Sequence, residues 1–234
     1  MKTQKQDFLD QIEIFLSKKV SPKVRKGCED LEKLLKKDIQ LGNGKKLLAY
    51  DPDSPFSYIT AFLRDKSVAA VHPSSKYLVD RVIKAMALDK AKIVVEYGAA
   101  EGVMTQRILA KLPPDGVLVA VEYNAHFIQA LSKMHDSRLR VVHGDVQEID
   151  AIMRAQGLES ADVIVSGIPF SFFDAERRKA LVRKTHGRLH PGGRFVAYQF
   201  TTHLIPVLKR QFRKLHTELE VRNLPPHFVF TAHK

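Results

Sequence analysis

The chain has a single cysteine, Cys28, among 234 residues. That excludes an intrachain disulfide framework and a cysteine-held metal cluster, and it fits a reducing, cytoplasmic compartment. No apolar run reaches the roughly 20 residues that a helix needs to cross a bilayer. The first residues alternate in charge, so a secretory signal is not expected there. Acids are nearly missing from 176–214. There Glu176 alone faces Arg177, Arg178, Lys179, Arg183, Lys184, Arg188, Arg194, Lys209, Arg210, Arg213 and Lys214, in a chain of net charge +12. A field of one sign favours a polyanion, either nucleic acid or an anionic membrane surface, over an ordinary solvated face of mixed charge.

The length suffices for one full core and an appendage. Phe8, Ile12, Phe15, Leu16 and Val20 share a helical face. Ser21 and Pro22 then read as the cap and first residue of a second helix, which Leu41-Gly42-Asn43-Gly44 stops. Residues 1–55 are therefore expected to form an N-terminal helical extension closed by the linker Asp51-Pro52-Asp53-Ser54-Pro55. Residues 56–90 carry an amphipathic stripe (Phe56, Ile59, Phe62, Leu63) and then a helix with Tyr77, Leu78, Val82, Ala85 and Met86 inward. The stripe suits a membrane interface and a packed core helix equally.

From 91 to 234 the period alternates between two and 3.6 residues. Strands are expected at 91–96, 117–122, 138–143, 161–166 and 193–200. Helices are expected at 102–112, 124–134, 147–156, 173–189 and 202–214, followed by short strands at Glu218–Arg222 and His227–Ala232. This is an α/β pattern with a mostly parallel sheet, closed by a β-pair.

The alternation begins at Val94-Val95-Glu96-Tyr97-Gly98-Ala99-Ala100-Glu101-Gly102, an apolar run that ends in an acid and a small-residue turn. Gly98 and Gly102 allow close approach of a ligand, and the helix start offers free N–H groups. A dinucleotide site needs Gly-x-Gly-x-x-Gly, and here Ala100 stands where a glycine would be. What the turn has instead is an acid before it, Glu96, and a second acid, Glu122, at the end of the next apolar run. That order resembles the S-adenosylmethionine site of the class I methyltransferases. The resemblance implies a seven-stranded Rossmann-like sheet whose last strand is antiparallel.

In an open α/β sheet ligands gather at the carboxyl ends of the strands. Those ends read Glu96 and the Gly98 turn, Glu122-Tyr123, His143-Gly144-Asp145-Val146, and Ser166-Gly167-Ile168-Pro169-Phe170. Glu122 can take two ribose hydroxyls, and Asp145 can accept from an adenine amine. Ser166, Ile168 and Phe170 mark the acceptor loop, in which a proline stiffens the turn and backbone carbonyls can hold an amine in line with a sulfonium methyl. Phe170, Phe172 and Phe173 could face a methylated ammonium by cation–π attraction, or belong to the core of the next helix. No histidine or carboxylate stands out as a base. No metal site is expected.

From about Phe62 to Ala232 the sequence resembles the bacterial phospholipid N-methyltransferases, relatives of the ribosomal RNA adenine dimethylases. The residues that carry this are Val71-His72-Pro73-Ser74-Ser75, the glycine turn, Val119-Ala120-Val121-Glu122-Tyr123-Asn124, Val141-Val142-His143-Gly144-Asp145, Val165-Ser166-Gly167-Ile168-Pro169, Pro191-Gly192-Gly193-Arg194-Phe195 and Arg222-Asn223-Leu224-Pro225-Pro226. The resemblance implies N-methylation of phosphatidylethanolamine with S-adenosylmethionine by an enzyme held peripherally at an anionic membrane. It also implies a cofactor site built from Ser74, Ser75, Glu96, Gly98, Ala100, Gly102, Glu122, Tyr123, Asp145, Val146 and Ser166. The family turn is usually Glu-Leu-Gly-Pro-Gly-Thr-Gly. Here the methyl of Ala100 narrows the approach and Glu101 adds a charge. Two rival readings stand beside this one. A degenerate methyltransferase fold kept as a membrane-binding scaffold would account for the altered turn. An RNA adenine N-methyltransferase would account for the basic field, although such enzymes usually carry a helical RNA-binding domain after the core.

Overall fold

The computed structural model describes residues 74–170, 173–223 and 226–234. The expected helical extension, the linker, the Phe56–Leu63 stripe and Phe172 lie outside the described residues.

Seven strands form one sheet: β1 Ile93–Tyr97, β2 Val117–Glu122, β3 Leu139–His143, β4 Ala161–Ser166, β5 Leu189–Gln199, β6 Lys214–Glu220 and β7 His227–His233. Their order is β3-β2-β1-β4-β5-β7-β6. The pairs from β3 through β5 are parallel, and β7 runs antiparallel to both β5 and β6. This is the expected seven-stranded arrangement. Strand order reverses between β1 and β4, and ligand clefts open at such a switch point.

Among the described residues six α-helices accompany the sheet: α1 Lys76–Met86, α2 Val103–Leu109, α3 Ala125–Leu131, α4 Ile149–Ala155, α5 Ala175–Arg188 and α6 Ile205–Gln211. Ser75 caps α1 by accepting from the Leu78 N–H. The inward stripe of α1 (Leu78, Val79, Val82, Met86) joins Met104, Ile108 and Leu109 of α2 in a core with Val94, Leu118, Val163, Val165, Val196 and Val229 of the sheet. On the opposite face Tyr97 reaches Thr185 of α5 at 3.3 Å, and Phe212 stacks on Phe195 at 6.2 Å.

The two largest differences from the sequence reading are strand starts. β5 starts at Leu189, not at 193, and carries Pro191-Gly192-Gly193 as an irregularity between the pairs Ala161–Leu189 and Val163–Arg194. A Cβ at Gly193 would sit 2.9 Å from the carbonyl oxygens of Asp162 and His190, so the strand keeps its register there only with glycine. β6 begins at Lys214, not at 218. Leu215 continues the helical spacing of Leu208 and Phe212, but Phe212 is extended (φ −111, ψ 149) and ends α6 at Gln211.

The basic stretch is divided between the two edges of the sheet. At the start of α5, Arg177 and Lys179 pair with Asp174 and Glu176, and Arg178 donates to the carbonyls of Phe170 and Phe173. Lower on the helix Arg188 pairs with Asp150. Lys214 and Arg194 both register against His233, so Arg213 and Lys214 stand at the amino-terminal edge, away from the switch point.

Candidate active site

The turn after β1 is tied to its neighbours by main-chain bonds. Gly98 N–H donates to the Val121 carbonyl at 2.9 Å, Gly144 N–H to the Glu122 carbonyl at 3.0 Å, and Gly167 N–H to the Tyr97 carbonyl at 3.1 Å. Gly98 has φ +75, and a Cβ there would meet Ile168 Cγ2 at 2.7 Å. Only glycine lets the β1 turn and the β4 loop come this close. Gly102 (φ +84) starts α2, and a Cβ there would collide with Met134. Ala100 also has positive φ, at 47. The turn thus keeps a glycine-like path with alanine in it.

Ala100 N–H donates to Glu122 Oε2 at 2.9 Å, and Asn124 N–H to Glu122 Oε1 at 2.8 Å. Each carboxylate oxygen retains a lone pair for a ligand. Asp145 is held in the same way, by Gln147 N–H on Oδ1 at 2.8 Å and Gln147 Nε2 on Oδ2 at 2.9 Å. Between these carboxylates lies a cavity of about 270 Å³, lined by Gly98, Val121, Glu122, Tyr123, Gly144, Asp145, Val146, Gln147, Ile168, Pro169 and Phe173.

Behind it, Glu96 is 2% exposed. Its Oε2 accepts from the Thr105 hydroxyl at 2.7 Å, and its Oε1 has no partner. Burial pushes its carboxyl up to about 7; the charge of Glu122 adds to this, and the Thr105 hydrogen bond opposes it. Ser166 is fully buried with its hydroxyl unpaired.

The cavity thus gathers Gly98, Glu122, Tyr123, Asp145, Val146 and Ile168 from the expected set. Ala100 frames it through an amide. Ser75 is at the start of α1, its hydroxyl occupied by the cap and its N–H donating to Asn223 Oδ1 at 2.8 Å. Neither Ser74 nor Ser75 lines the cavity. Phe170 is a correction: its ring is fully buried against Phe195 (6.1 Å) and Phe173 (6.0 Å), in the core under α5. The aromatic residues that line the cavity are Tyr123 and Phe173. Gln147 was missed because its part in the site depends on folding back over Asp145.

A family model described as a methyltransferase domain matches residues 95–195. The chain is 32% identical over 171 residues to a protein of Singulisphaera acidiphila called ornithine lipid N-methyltransferase, an overlap of 70% of this chain and 88% of that one. The chain belongs to the class I S-adenosylmethionine-dependent methyltransferases. This methyltransferase also shares its fold with the N-methyltransferase NodS of Bradyrhizobium japonicum (TM-score 0.55, 13% identity, 68% of this chain and 96% of that one). A second structural neighbour is the 1,6-didemethyltoxoflavin N1-methyltransferase of Burkholderia thailandensis, solved with S-adenosylhomocysteine (TM-score 0.52, 20% identity, 81% and 92%). The cofactor of the present chain is S-adenosylmethionine. The residues present fit that group: a glycine cradle that a Cβ would fill, two carboxylates with free lone pairs at the cavity, and a buried carboxylate oxygen without a donor.

Proposed function

We propose that this methyltransferase methylates the amine of a membrane aminolipid, with ornithine lipids and phosphatidylethanolamine as the two headgroups to distinguish. The observation that carries the reading is the 32% identity to a lipid N-methyltransferase across 70% of the chain. It is supported by the Ser166-Gly167-Ile168-Pro169 loop at the cavity wall, where an acceptor amine is expected.

When bound, S-adenosylmethionine supplies a methyl group made electrophilic by a sulfonium. Glu122 would hold the ribose hydroxyls, Asp145 the adenine amine, and Glu96 the ammonium of the methionyl part. Gly98 and Ile168 set how close the cofactor comes to the acceptor loop. Tyr198 is beside Gly167, a Cβ there falling 2.4 Å from the phenol oxygen. Burial and then the charge of Glu96 push its phenol up, so it stays protonated and does not serve as the base. The chain's main contribution to the rate is to place an amine lone pair in line with the methyl.

The edge that carries the cleft also suits a lipid surface. Tyr77, Val103, Tyr123 and Val221 are the exposed large apolar side chains among the described residues. Each follows a strand end or stands beside the β6–β7 turn at this edge. Arg222 lies over the Tyr77 ring at 4.1 Å and Lys76 at 5.9 Å. Amphipathic rings with basic neighbours are at home among headgroups.

The test is methyl transfer from labelled S-adenosylmethionine to vesicles of phosphatidylglycerol that contain either phosphatidylethanolamine or an ornithine lipid, read by mass spectrometry of the extracted lipid. Stepwise mass gains on one headgroup support the reading and choose between the two. Cofactor binding without label in either lipid would overturn it.

A further inference from the structure

The sheet holds a second set of buried polar atoms that the cofactor does not account for. Gln199, the last residue of β5, is 4% exposed, and neither its Oε1 nor its Nε2 has a partner. Thr201, two residues on, is also 4% exposed with its hydroxyl unpaired. Ser166, at the end of β4, registers against Ala197. Gln199 is two residues beyond Ala197, so its side chain leaves the same face of the sheet, one step nearer the strand end. The unpaired hydroxyl of Ser166 and the unpaired carboxamide of Gln199 thus leave the same face of adjacent strands, at the end of the sheet that carries the acceptor loop. An apolar strand end would have served packing equally well, and an unpaired buried carboxamide is costly to keep.

We propose that Gln199, with Ser166 and Thr201, forms the subsite that recognises the acceptor headgroup. The carboxamide oxygen accepts an N–H of the substrate amine. The carboxamide N–H₂ donates to the oxygen group that neighbours the amine in the same headgroup, a phosphate in one aminolipid class and a carbonyl or carboxylate in the other. The hydroxyls of Ser166 and Thr201 complete the set. Gln199 is a specificity-determining residue, and the subsite rests on the aminolipid reading above. A site built to pair both groups rejects a headgroup that lacks one, because a buried partner is then left unpaired.

The experiment compares wild type with Gln199→Met, which keeps the shape and removes both polar atoms, and with Ser166→Ala. Each is measured for calorimetric binding of S-adenosylmethionine, thermal unfolding, and kcat and KM on phosphatidylethanolamine and ornithine-lipid vesicles. Gln199→Met is expected to bind the cofactor within twofold of wild type and to unfold at the same or a higher temperature. Its KM for the lipid should rise by tenfold or more. A residue with a merely structural role would instead lower the unfolding temperature. Unchanged KM and kcat in Gln199→Met would overturn the subsite while leaving the function standing, as would a lowered unfolding temperature with unchanged kinetics, the mark of a buried water. A wild type that binds the cofactor and labels neither lipid would overturn both.

Discussion

The Ala100 N–H donates to Glu122 Oε2 across 2.9 Å and so fastens the turn after β1 to the end of β2. The second oxygen of Glu122 accepts from the Asn124 N–H, so the carboxylate itself organises two backbone segments. Glu122→Gln should therefore do more than weaken cofactor binding. One of the two amides would face an N–H₂, and leaving a buried donor unpaired costs about 1–3 kcal/mol. Calorimetric titration should show cofactor binding lost, and urea unfolding should show a loss of that size without cofactor present.

Ala100 is itself the departure that the sequence marks as a narrowing of the site. In the structure its φ of 47 is the glycine-like conformation, which costs an L-residue about 1–2 kcal/mol. Ala100→Gly removes that strain but loosens the unfolded chain, which offsets up to about 1 kcal/mol. The expected outcome is a net gain of up to about 1 kcal/mol by urea unfolding, with cofactor affinity within a few-fold of wild type.

Gly98 allows no such exchange. Gly98→Ala places a methyl 2.7 Å from Ile168 Cγ2, a branch methyl with little room to turn, at a φ of +75. Cofactor affinity should fall by at least tenfold. Ile168→Ala in the same chain should recover part of it, since the clash is relieved while the backbone strain remains. Full recovery in the double variant would show that φ is irrelevant at this turn.

The sheet and the placing of three carboxylates around the cavity were legible because each rests on local signals. The period changes from two to 3.6 at every crossover, and Glu96, Glu122 and Asp145 end apolar strands. What was not legible depends on the direction of a side chain within the packed whole. Phe170 follows the acceptor loop in sequence, but the turn at Pro169 aims its ring at Phe195. Leu215 fits a helix by spacing until Phe212 docks on the sheet and ends it. Gln199 looks like any polar strand terminus, and its unpaired burial exists only once the helices on its face are in place.

Two buried carboxylates give the free protein an unusual response to pH, with opposite signs. Glu96 titrates near 7 in the fold against an ordinary 4.5. The folded state then binds the extra proton between these values, so stability falls as pH rises from about 4.5 to about 7. The loss is ~3 kcal/mol at a full shift. If Glu96 must be ionised to hold the cofactor's ammonium, affinity should climb up to tenfold per unit as pH rises toward 7 and level off above it. Titration of cofactor binding from pH 5.5 to 8.5 checks this, and Glu96→Gln should give a flat profile.

Glu220 shifts the other way. Its side chain is 1% exposed, and it accepts from Arg222 Nε at 2.7 Å, Arg222 Nη2 at 2.8 Å, the Arg222 N–H at 3.0 Å and Arg81 Nε at 2.9 Å. The Arg222 bonds, with the main-chain N–H and Arg81 behind them, hold its carboxyl down at about 2 against the pull of burial. Its stabilisation is complete above 4.5 and is lost as pH falls toward 2. The full shift is worth ~3 kcal/mol, reduced by the solvent that reaches Arg222. Arg81 belongs to the middle of α1 and Arg222 to the β6–β7 turn, so this carboxylate ties that helix to the turn. Glu220→Gln should cost about 2–3 kcal/mol at pH 7 and progressively less as the buffer approaches pH 2. With both groups intact, the stability of the cofactor-free protein should peak near pH 4.5. Glu96→Gln should flatten the limb above the peak and Glu220→Gln the limb below it. Urea unfolding across pH 2.5–8 measures both limbs at once. A wild-type profile that rises steadily to neutral pH would mean that Glu96 is ionised in the fold, paired with a cation that comes from within the chain.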